Sequence, residues 1–314
     1  MRRETVRWVL AGLWLLDGAL QLQPSMFTMA MVQGVMQPAT GGNPAWVNAP
    51  LDLAIRVFSR NLVLANAAVA AIQLALGAAL LLAGRARRWP YWLSLAWSLL
   101  LWPFGQAFGG LLSGGASFFT GAPGSALLYA LLTWAAWPEG DGPAGRGAWR
   151  RDLLRAALGG ILALAAVLQV NAAFFTAKGL SGLVTGGIPG QPRWLAALLA
   201  ATGRTLAAHP VWWNAVALAV LTACALGIWS ARFRRPALAL TATACGAAWV
   251  FGQAFGMLFT GMATDPNTAP LVAALTMYVW PLRTPAGVGV TGLRPAASGS
   301  DRAPQSARAR RQLH

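Results

Sequence analysis

The sequence predicts an all-α integral membrane protein in which eight transmembrane helices form two parallel-repeat four-helix bundles. Hydrophobic residues make up 57% of the 314 residues and charged residues only 10%, whereas a soluble domain carries about 25% charged residues. The apolar residues also fall into long runs, such as 67–83, 153–170 and 215–229. These runs approach the roughly 20 residues that cross a bilayer. One phrase of 22 residues occurs twice, which indicates two copies of one unit.

Eight apolar segments are predicted to span the membrane, the two shortest with help from tilt or flanking tryptophans. They are 6–23, 61–84, 90–110, 123–138, 153–171, 212–231, 236–258 and 269–283. Trp89, Trp212 and Trp280 stand near span ends, as interfacial anchors do. The first segment follows positive charges like a secretory signal, but it lacks a small-residue cleavage site and Asp17 interrupts it. We therefore expect it to remain as the first span.

The arginines predict the orientation. Of the 24 Lys and Arg residues, 19 lie at the termini or in the even-numbered connections, against five in the odd-numbered ones. By the positive-inside rule both termini are cytoplasmic, and the protein is expected in the cell (inner) membrane. The net charge of +16 follows from this topology. The expected partner is therefore the lipid bilayer, and no nucleic acid is expected.

The duplication rests on a gapless match. "WPFGQAFGGLLSGGASFFTGAP" at 102–123 and "WVFGQAFGMLFTGMATDPNTAP" at 249–270 share 12 of 22 residues at an offset of 147. Because four spans are an even number, two copies insert the same way up and form a parallel repeat. The predicted organisation is a first repeat at 1–138, a cytoplasmic linker at 139–152, a second repeat at 153–283 and a disordered basic tail at 284–314.

Polar side chains within or beside the spans give the candidate ligand-binding residues. They are Asp17, Gln21, Gln23, Arg56, Gln106, Gln169, Arg204 and Gln253. Those in the spans come late in outward-running helices, so we expect them in the outer half of the membrane. Two roles stay open for Gln106 and Gln253. They can hydrogen-bond between helices packed through GxxxG spacings at 105/109 and 252/256, or they can line a cavity.

Asp17 is the most informative of these residues, because a carboxylate within a span is a candidate functional group. The alternative is a solvated carboxylate near the headgroups. The second copy has Ala165 at the matching place, so we expect the site in the first copy. The long outer loops 24–60 and 172–211 each offer an amphipathic helix, at 49–61 and 192–210, which we expect to lie in the interface as a lid.

Arg56 and Arg204 occupy matching places on these two lids. Each can reach water or lipid phosphate with its head group, or it can pair with a polar group at the helix ends. For Arg56 such a partner would be Asp17. Both alternatives stay open at the level of sequence.

No metal or nucleotide motif is present: the sequence has no Walker loop, HExxH or GxSxG, and only two histidines. Four methionines fall in the first outer loop, at Met26, Met29, Met31 and Met36. Thioethers suit Cu(I), but methionine also packs well in an interfacial helix. No catalytic residue is predicted, and whether the protein is an enzyme stays open.

The layout, with phrases such as "QPSMFT", "FGQAFG" and "SFFTGAPGSALLYALL", resembles the DoxX-type membrane family, as two units in tandem. Some members of that family resemble subunits of thiosulfate:quinone oxidoreductases. Other members are uncharacterised, and the resemblance fixes no catalytic residue. The cluster of amides beneath an apolar lid predicts a module that binds a small hydrophobic or quinone-like molecule, as one subunit of an oxidoreductase whose membrane or redox partners supply the redox group. The cofactor stays unknown, with a quinone as one candidate. Two other functions stay open, a small-solute transporter or channel and a non-catalytic assembly or scaffold protein.

Overall fold

The computed structural model describes residues 1–83, 87–138 and 146–281. In this part of the chain the structure is helical and contains no β-strand, so the predicted all-α class is confirmed. Residues Met1–Trp280 form one compact unit. The predicted tail at 284–314 and residues 139–145 of the predicted linker lie outside the described residues.

The longer helices follow one another along the chain with short connections or loops between them. They are α1 (Arg3–Gln21), α2 (Ala45–Arg60), α3 (Leu62–Leu82), α4 (Trp89–Gln106), α5 (Ser125–Ala136), α6 (Arg146–Gln169), α7 (Ala177–Thr185), α8 (Arg193–Ala208), α9 (Pro210–Gly227), α10 (Arg234–Ala247) and α11 (Thr268–Val279). Short helical turns complete the loops. They are Pro24–Phe27, Met29–Met31, Val32–Met36, Gln37–Thr40, Ala107–Gly110, Phe118–Thr120, Ala172–Phe175, Ala248–Gly252 and Ala254–Met257.

Each of the eight predicted spans overlaps one of these helices, but the helices differ in length and polarity. Within the described residues, three are long and apolar enough to cross a membrane: Leu62–Leu82, Gly147–Gln169 and Pro210–Gly227. The apolar helices α5 and α11 have 12 residues each. At 1.5 Å per residue they reach about 18 Å, short of the roughly 30 Å hydrocarbon core. Helix α1 instead carries four charged residues.

Helices α1 and α3 pack closely because glycines lie at their contact. A Cβ atom added at Gly18 would lie 2.7 Å from Leu74 Cγ and 2.9 Å from the Leu74 backbone nitrogen. One added at Gly77 would lie 2.9 Å from the Ala11 carbonyl oxygen. Glycine at both places lets the backbones approach, as small residues do in packed membrane helices.

The repeated glycines of "FGQAFG" do a different job from the predicted one. Helix α4 ends at Gln106, and Phe108 and Gly109 then adopt left-handed φ angles of 57° and 68°. A Cβ atom at Gly109 would lie 2.1 Å from the Pro123 carbonyl oxygen. The prediction of GxxxG helix packing is therefore wrong at Gly109 and Gly256, whereas Gly252 does permit a close backbone approach, since a Cβ there would lie 2.1 Å from the Phe119 carbonyl oxygen. Gly109 is required by a tight left-handed turn, and Gly256 at φ 67° repeats it.

The two lid helices are confirmed as helices, α2 near the predicted 49–61 and α8 near the predicted 192–210. Helix α2 buries Val47 and Leu51 against Met26, Met31 and Met36. These three methionines therefore lie in an apolar cluster. Of the two interpretations of the methionines, this arrangement agrees with packing rather than with binding of Cu(I). Met29 is exposed on the surface.

The close contact of α1 with α3 gives a matched test on one helix. We expect Gly18→Ala to lower the free energy of unfolding by about 1–3 kcal/mol, because the added methyl group meets the Leu74 backbone and forces the helices apart. Gly12→Ala is the control, since a Cβ there meets nothing within 4 Å. It should leave stability unchanged or raise it by up to about 1 kcal/mol through helix propensity. Reversible unfolding in mixed micelles measures both, and equal effects would contradict the packing described.

Candidate ligand-binding site

Hydrogen bonds between loops that lie far apart in sequence hold one end of the bundle together. Gln23 Nε2 donates to the Ala263 carbonyl oxygen at 3.2 Å, and the Ser25 hydroxyl donates to the Gly261 carbonyl oxygen. Thr268 Oγ1 donates to the Gly121 carbonyl oxygen at 2.5 Å. The loops of the two halves therefore form one layer, which we call the loop end.

Gln106 and Gln253 each join the end of one helix to the start of the next. Gln106 Oε1 accepts from the Ala126 backbone N–H at 3.1 Å, and its Nε2 donates to Ser125 Oγ at 2.6 Å. Gln253 Oε1 accepts from the Ala269 backbone N–H at 3.0 Å. These contacts satisfy N–H groups that the first turn of a helix leaves free.

Gln21 and Gln169 occupy matching places but have different surroundings. Asn66 Nδ2 donates to the Gln21 carbonyl oxygen at 2.7 Å, while Gln21 Oε1 has no hydrogen-bond partner. Gln169 is fully satisfied: its Nε2 donates to Asn214 Oδ1 at 2.5 Å, and its Oε1 accepts from the Ser117 hydroxyl at 3.1 Å. Gln21 is therefore available to a ligand, whereas Gln169 serves the packing of the bundle.

A cavity of about 260 Å³ lies beneath the loop end, between α1, α3, α4, α5 and lid helix α2. We call it the aromatic cavity, because five aromatic side chains line it. These are Trp14, Phe58, Trp97, Phe104 and Tyr129. Its polar lining comes from Asp17, Gln21, Gln73, Gln106, Ser125, Thr264 and Asp265. Three predicted site residues, Asp17, Gln21 and Gln106, therefore meet at one place.

Several polar atoms of the aromatic cavity are buried without a partner. Asp17 is 1% exposed, and Gln21 and Gln73 are each 3% exposed. Asp17 Oδ1 and both Oε1 atoms lack a hydrogen bond. An unpaired polar group away from water costs several kcal/mol, and folded proteins leave few such groups. These atoms are therefore the strongest sign of a ligand site in the described part of the chain.

The aromatic groups add two more unpaired atoms, Trp97 Nε1 and the Tyr129 hydroxyl. The Tyr129 hydroxyl lies beside the Asp17 carboxyl, but neither this hydroxyl nor Asp17 Oδ1 completes a hydrogen bond of good geometry. Tyr129 packs on Trp14 with ring centroids 4.3 Å apart. The Trp14 indole N–H is already satisfied by Ser94 Oγ at 2.9 Å.

Asp265 reaches the aromatic cavity from the other half of the chain. Its Oδ1 accepts from the Asn267 backbone N–H at 2.7 Å, and its Oδ2 accepts from Thr264 Oγ1 at 3.1 Å. Burial raises the pKa of the Asp265 carboxyl above its ordinary value, and hydrogen bonds from Asn267, Ser125 and Thr264 oppose that rise. Asp265 is close enough to Asp17 for the two carboxyls to repel each other.

No positive charge balances these acids. Arginine, lysine and histidine are all missing from the described residues that line the aromatic cavity. Arg56 on lid helix α2 and Arg204 on lid helix α8 are both exposed. Of their two predicted roles, this exposure agrees with a head group that reaches water or lipid phosphate. Arg56 forms no ion pair with Asp17 among the described contacts, because Asp17 is enclosed by the bundle.

A second, wider cavity of about 750 Å³ adjoins the first at the loop end. We call it the glycine-lined cavity, because its walls are mostly glycine, serine, threonine and backbone. Both cavities are bounded by Val35, Gly105, Gln106, Ser125, Thr264 and Asp265. The two cavities therefore adjoin along these six residues, and the lining of the glycine-lined cavity is the more polar of the two.

Sequence reasoning missed Gln73, Trp97, Tyr129 and Asp265. Gln73 had a signal: Asn66 and Gln73 are seven residues apart on α3, and both are buried. Asp265 had none, because the gapless match of the two phrases does not hold through the loop. Trp102 Nε1 donates to the Pro123 carbonyl oxygen at 2.9 Å, and Trp249 Nε1 donates to that of Pro266 at 2.9 Å.

The offset between matching contacts is therefore 147 at the tryptophans and 143 at the prolines. The second loop is four residues shorter than the first. At the offset of 143, Asp265 corresponds to Ala122, whereas the gapless alignment matches Asp265 to Phe118 and Ala122 to Ala269. A shift of this kind cannot be recognised from the amino-acid sequence alone.

The chain matches no protein-family model, no curated protein and no solved structure. The resemblance to DoxX-type proteins therefore stays a prediction. What the site does has to be argued from its own geometry and chemistry.

The contacts separate glutamines that hold the fold from a glutamine that faces the aromatic cavity. We expect Gln253→Leu to lower the free energy of unfolding by about 2 kcal/mol or more, because it leaves the Ala269 N–H and the Phe118 carbonyl without partners. Gln73→Leu is the control at a buried but unpaired amide. It should stay within about 0.5 kcal/mol of wild type or exceed it. A larger loss for Gln73→Leu than for Gln253→Leu in equilibrium unfolding would contradict these roles.

Proposed function

We propose that the chain is an integral membrane protein of eight spans, built from two copies of one four-helix unit. The three long apolar helices support the membrane assignment. So does the surface, where large apolar side chains such as Leu64, Val167 and Leu226 are 65–68% exposed. Residues of this kind on the outside of long helices suit hydrocarbon as the solvent.

Matched local geometry supports the duplication. Phe108 and Phe255 share φ 57° and ψ 31°, and the glycines that follow them agree within 1° in both angles. A left-handed phenylalanine is rare, so its occurrence after the same "FGQA" phrase in both halves favours two copies of one unit. With both copies the same way up, the arginine-rich termini and connections are cytoplasmic. The loop end then lies at the outer leaflet of the inner membrane.

For the activity, we infer that the aromatic cavity binds a small hydrophobic or quinone-like molecule near the outer leaflet. The observation that carries this proposal is the set of unpaired, buried polar atoms on Asp17, Gln21 and Gln73 within aromatic walls. Ligand pockets combine these features: mostly apolar lining with a few convergent polar groups. The described residues contain no group of three or more His, Cys, Asp or Glu side chains that could hold a metal. A redox role would therefore need a partner subunit.

The asymmetry of the two halves supports a ligand site in the first half only. The first-half residues that give the cavity its chemistry are Trp14, Asp17, Gln73, Trp97 and Tyr129. The corresponding second-half residues, at offsets of 148, 147 and 143, are Leu162, Ala165, Leu221, Ala244 and Val272. All five are apolar; Leu162, Ala165, Leu221 and Val272 are buried in the core, and Ala244 is half-buried. Selection for stability alone would not require polar groups in the first bundle.

Filling the aromatic cavity tests the proposal. Val69 lines it from α3 and is half-buried. We expect Val69→Phe to remove binding of small apolar probes because the added ring takes up the space a ligand would use. The probes are a fragment set that includes a short-chain ubiquinone, and the readout is the melting temperature of protein in lipid nanodiscs with and without each probe.

The matched control is Val216→Phe, the same change at an exposed position of α9 that does not line the cavity. It should respond to the probes as wild type does. If no probe raises the wild-type melting temperature, or if Val69→Phe responds like Val216→Phe, the cavity is not the ligand site.

A further inference from the structure

The charge of the aromatic cavity restricts what can occupy it. Two carboxyl groups, Asp17 and Asp265, face the cavity, and none of its described lining residues is cationic. Asp265 accepts hydrogen bonds from Thr264 and Asn267, whereas the Asp17 carboxyl has the Tyr129 hydroxyl beside it but no hydrogen bond to Oδ1. A buried carboxylate is tolerated when a positive charge or several donors compensate it. An occupant that supplies this compensation is therefore favoured over one that adds further acceptors.

The aromatic rings favour the same kind of occupant. Trp14, Trp97 and Tyr129 line the same cavity as Asp17, and the ring centroids of Trp14 and Tyr129 lie 4.3 Å apart. The face of an aromatic ring attracts a cation, most strongly when the cation is desolvated. Carboxyl groups and ring faces around one small space together form the arrangement that recognises organic ammonium groups.

We propose that the aromatic cavity selects an organic cation, an ammonium group carrying an apolar substituent. This proposal rests on the function proposed above and specifies the chemistry of its ligand. The ammonium group contacts the Asp17 carboxyl and the faces of Trp97 and Tyr129. The apolar substituent lies against Phe58, Leu101 and Phe104, on the side of the cavity formed by α4 and the lid.

A quinone fits this site less well than an ammonium ion. Its two carbonyl groups are acceptors only, so they could pair with the Trp97 N–H and the Tyr129 hydroxyl, but they would bring neither a donor nor a positive charge to an ionised Asp17 carboxylate. An anion would face two carboxyl groups, at a cost that grows as the surroundings become less polar. The residues that line the aromatic cavity therefore favour an organic cation over a quinone as its ligand.

The adjoining glycine-lined cavity has the same charge pattern as the aromatic cavity. The glycine-lined cavity contains no described arginine, lysine or histidine, and Asp265 lies where it meets the aromatic cavity. A cation that enters through the glycine-lined cavity passes the Asp265 carboxyl before it reaches Asp17. It meets no cationic side chain among the described residues that line this cavity. Electrostatic attraction along such a route raises the local concentration of the cation.

The test compares two probes of equal size in isothermal titration calorimetry of protein in nanodiscs. They are the phenethylammonium ion and the neutral 2-phenylethanol, with empty nanodiscs subtracted. We expect the ammonium ion to bind wild type about tenfold or more tightly than the alcohol. Asp17→Asn should remove this preference and leave the affinity for the alcohol within about twofold.

Two further variants complete the test. Asp52→Asn removes a carboxylate from lid helix α2 that does not line either cavity, and it should keep the wild-type preference. Trp97→Leu removes a ring face without changing charge, and it should weaken binding of the ammonium ion more than that of the alcohol. This second variant decides the question if Asp17→Asn does not fold.

Equal affinity for the two probes in wild type would overturn the proposal. So would tighter binding of a short-chain ubiquinone than of the ammonium ion, or full displacement of the ammonium ion by millimolar sodium chloride at constant ionic strength. In these cases Val69→Phe would still abolish binding, and the proposed ligand site would stand without its cation selectivity. If neither probe binds wild type, both proposals fail.

Discussion

A polar group enclosed by helices needs a partner, and this constraint shapes the loop end of the protein. Gln106 and Gln253 find their partners at the first turn of the next helix. Gln169 finds its partners in Asn214 and Ser117. The same hydrogen bonds hold the loops against the helices and close the top of the bundle. Asp17, Gln21 and Gln73 are enclosed by this layer but are left out of its hydrogen bonds. The contrast separates structural amides from those available to a ligand.

The two halves illustrate how one scaffold supports two roles. Both keep the tight left-handed turn and the tryptophan contact with a proline carbonyl, which are the features that position the loops. At five positions that line the aromatic cavity, the first half has aromatic and polar residues where the second half has two leucines, two alanines and a valine. The second half contributes Asp265 across the loop end, so the aromatic cavity depends on both halves.

The sequence predicted the helical class and the approximate helix positions, because periodicity and composition are local properties. It failed where contacts are made between distant segments. The GxxxG interpretation failed because the spacing of glycines does not reveal a left-handed turn at Phe108. Asp265 was missed because a loop shortened by four residues breaks the alignment of the two copies. Trp97 and Tyr129 were missed because an aromatic residue in a span is usually core, and only the fold shows which ones border a cavity.

The most direct test is an experimental structure of the protein purified from its native source, at a resolution that shows bound small molecules. The account predicts density for a non-protein molecule in the aromatic cavity, within hydrogen-bond or ion-pair distance of Asp17 and against the face of Tyr129. A cavity closed by protein side chains, with Asp17 hydrogen-bonded to another protein group, would contradict it.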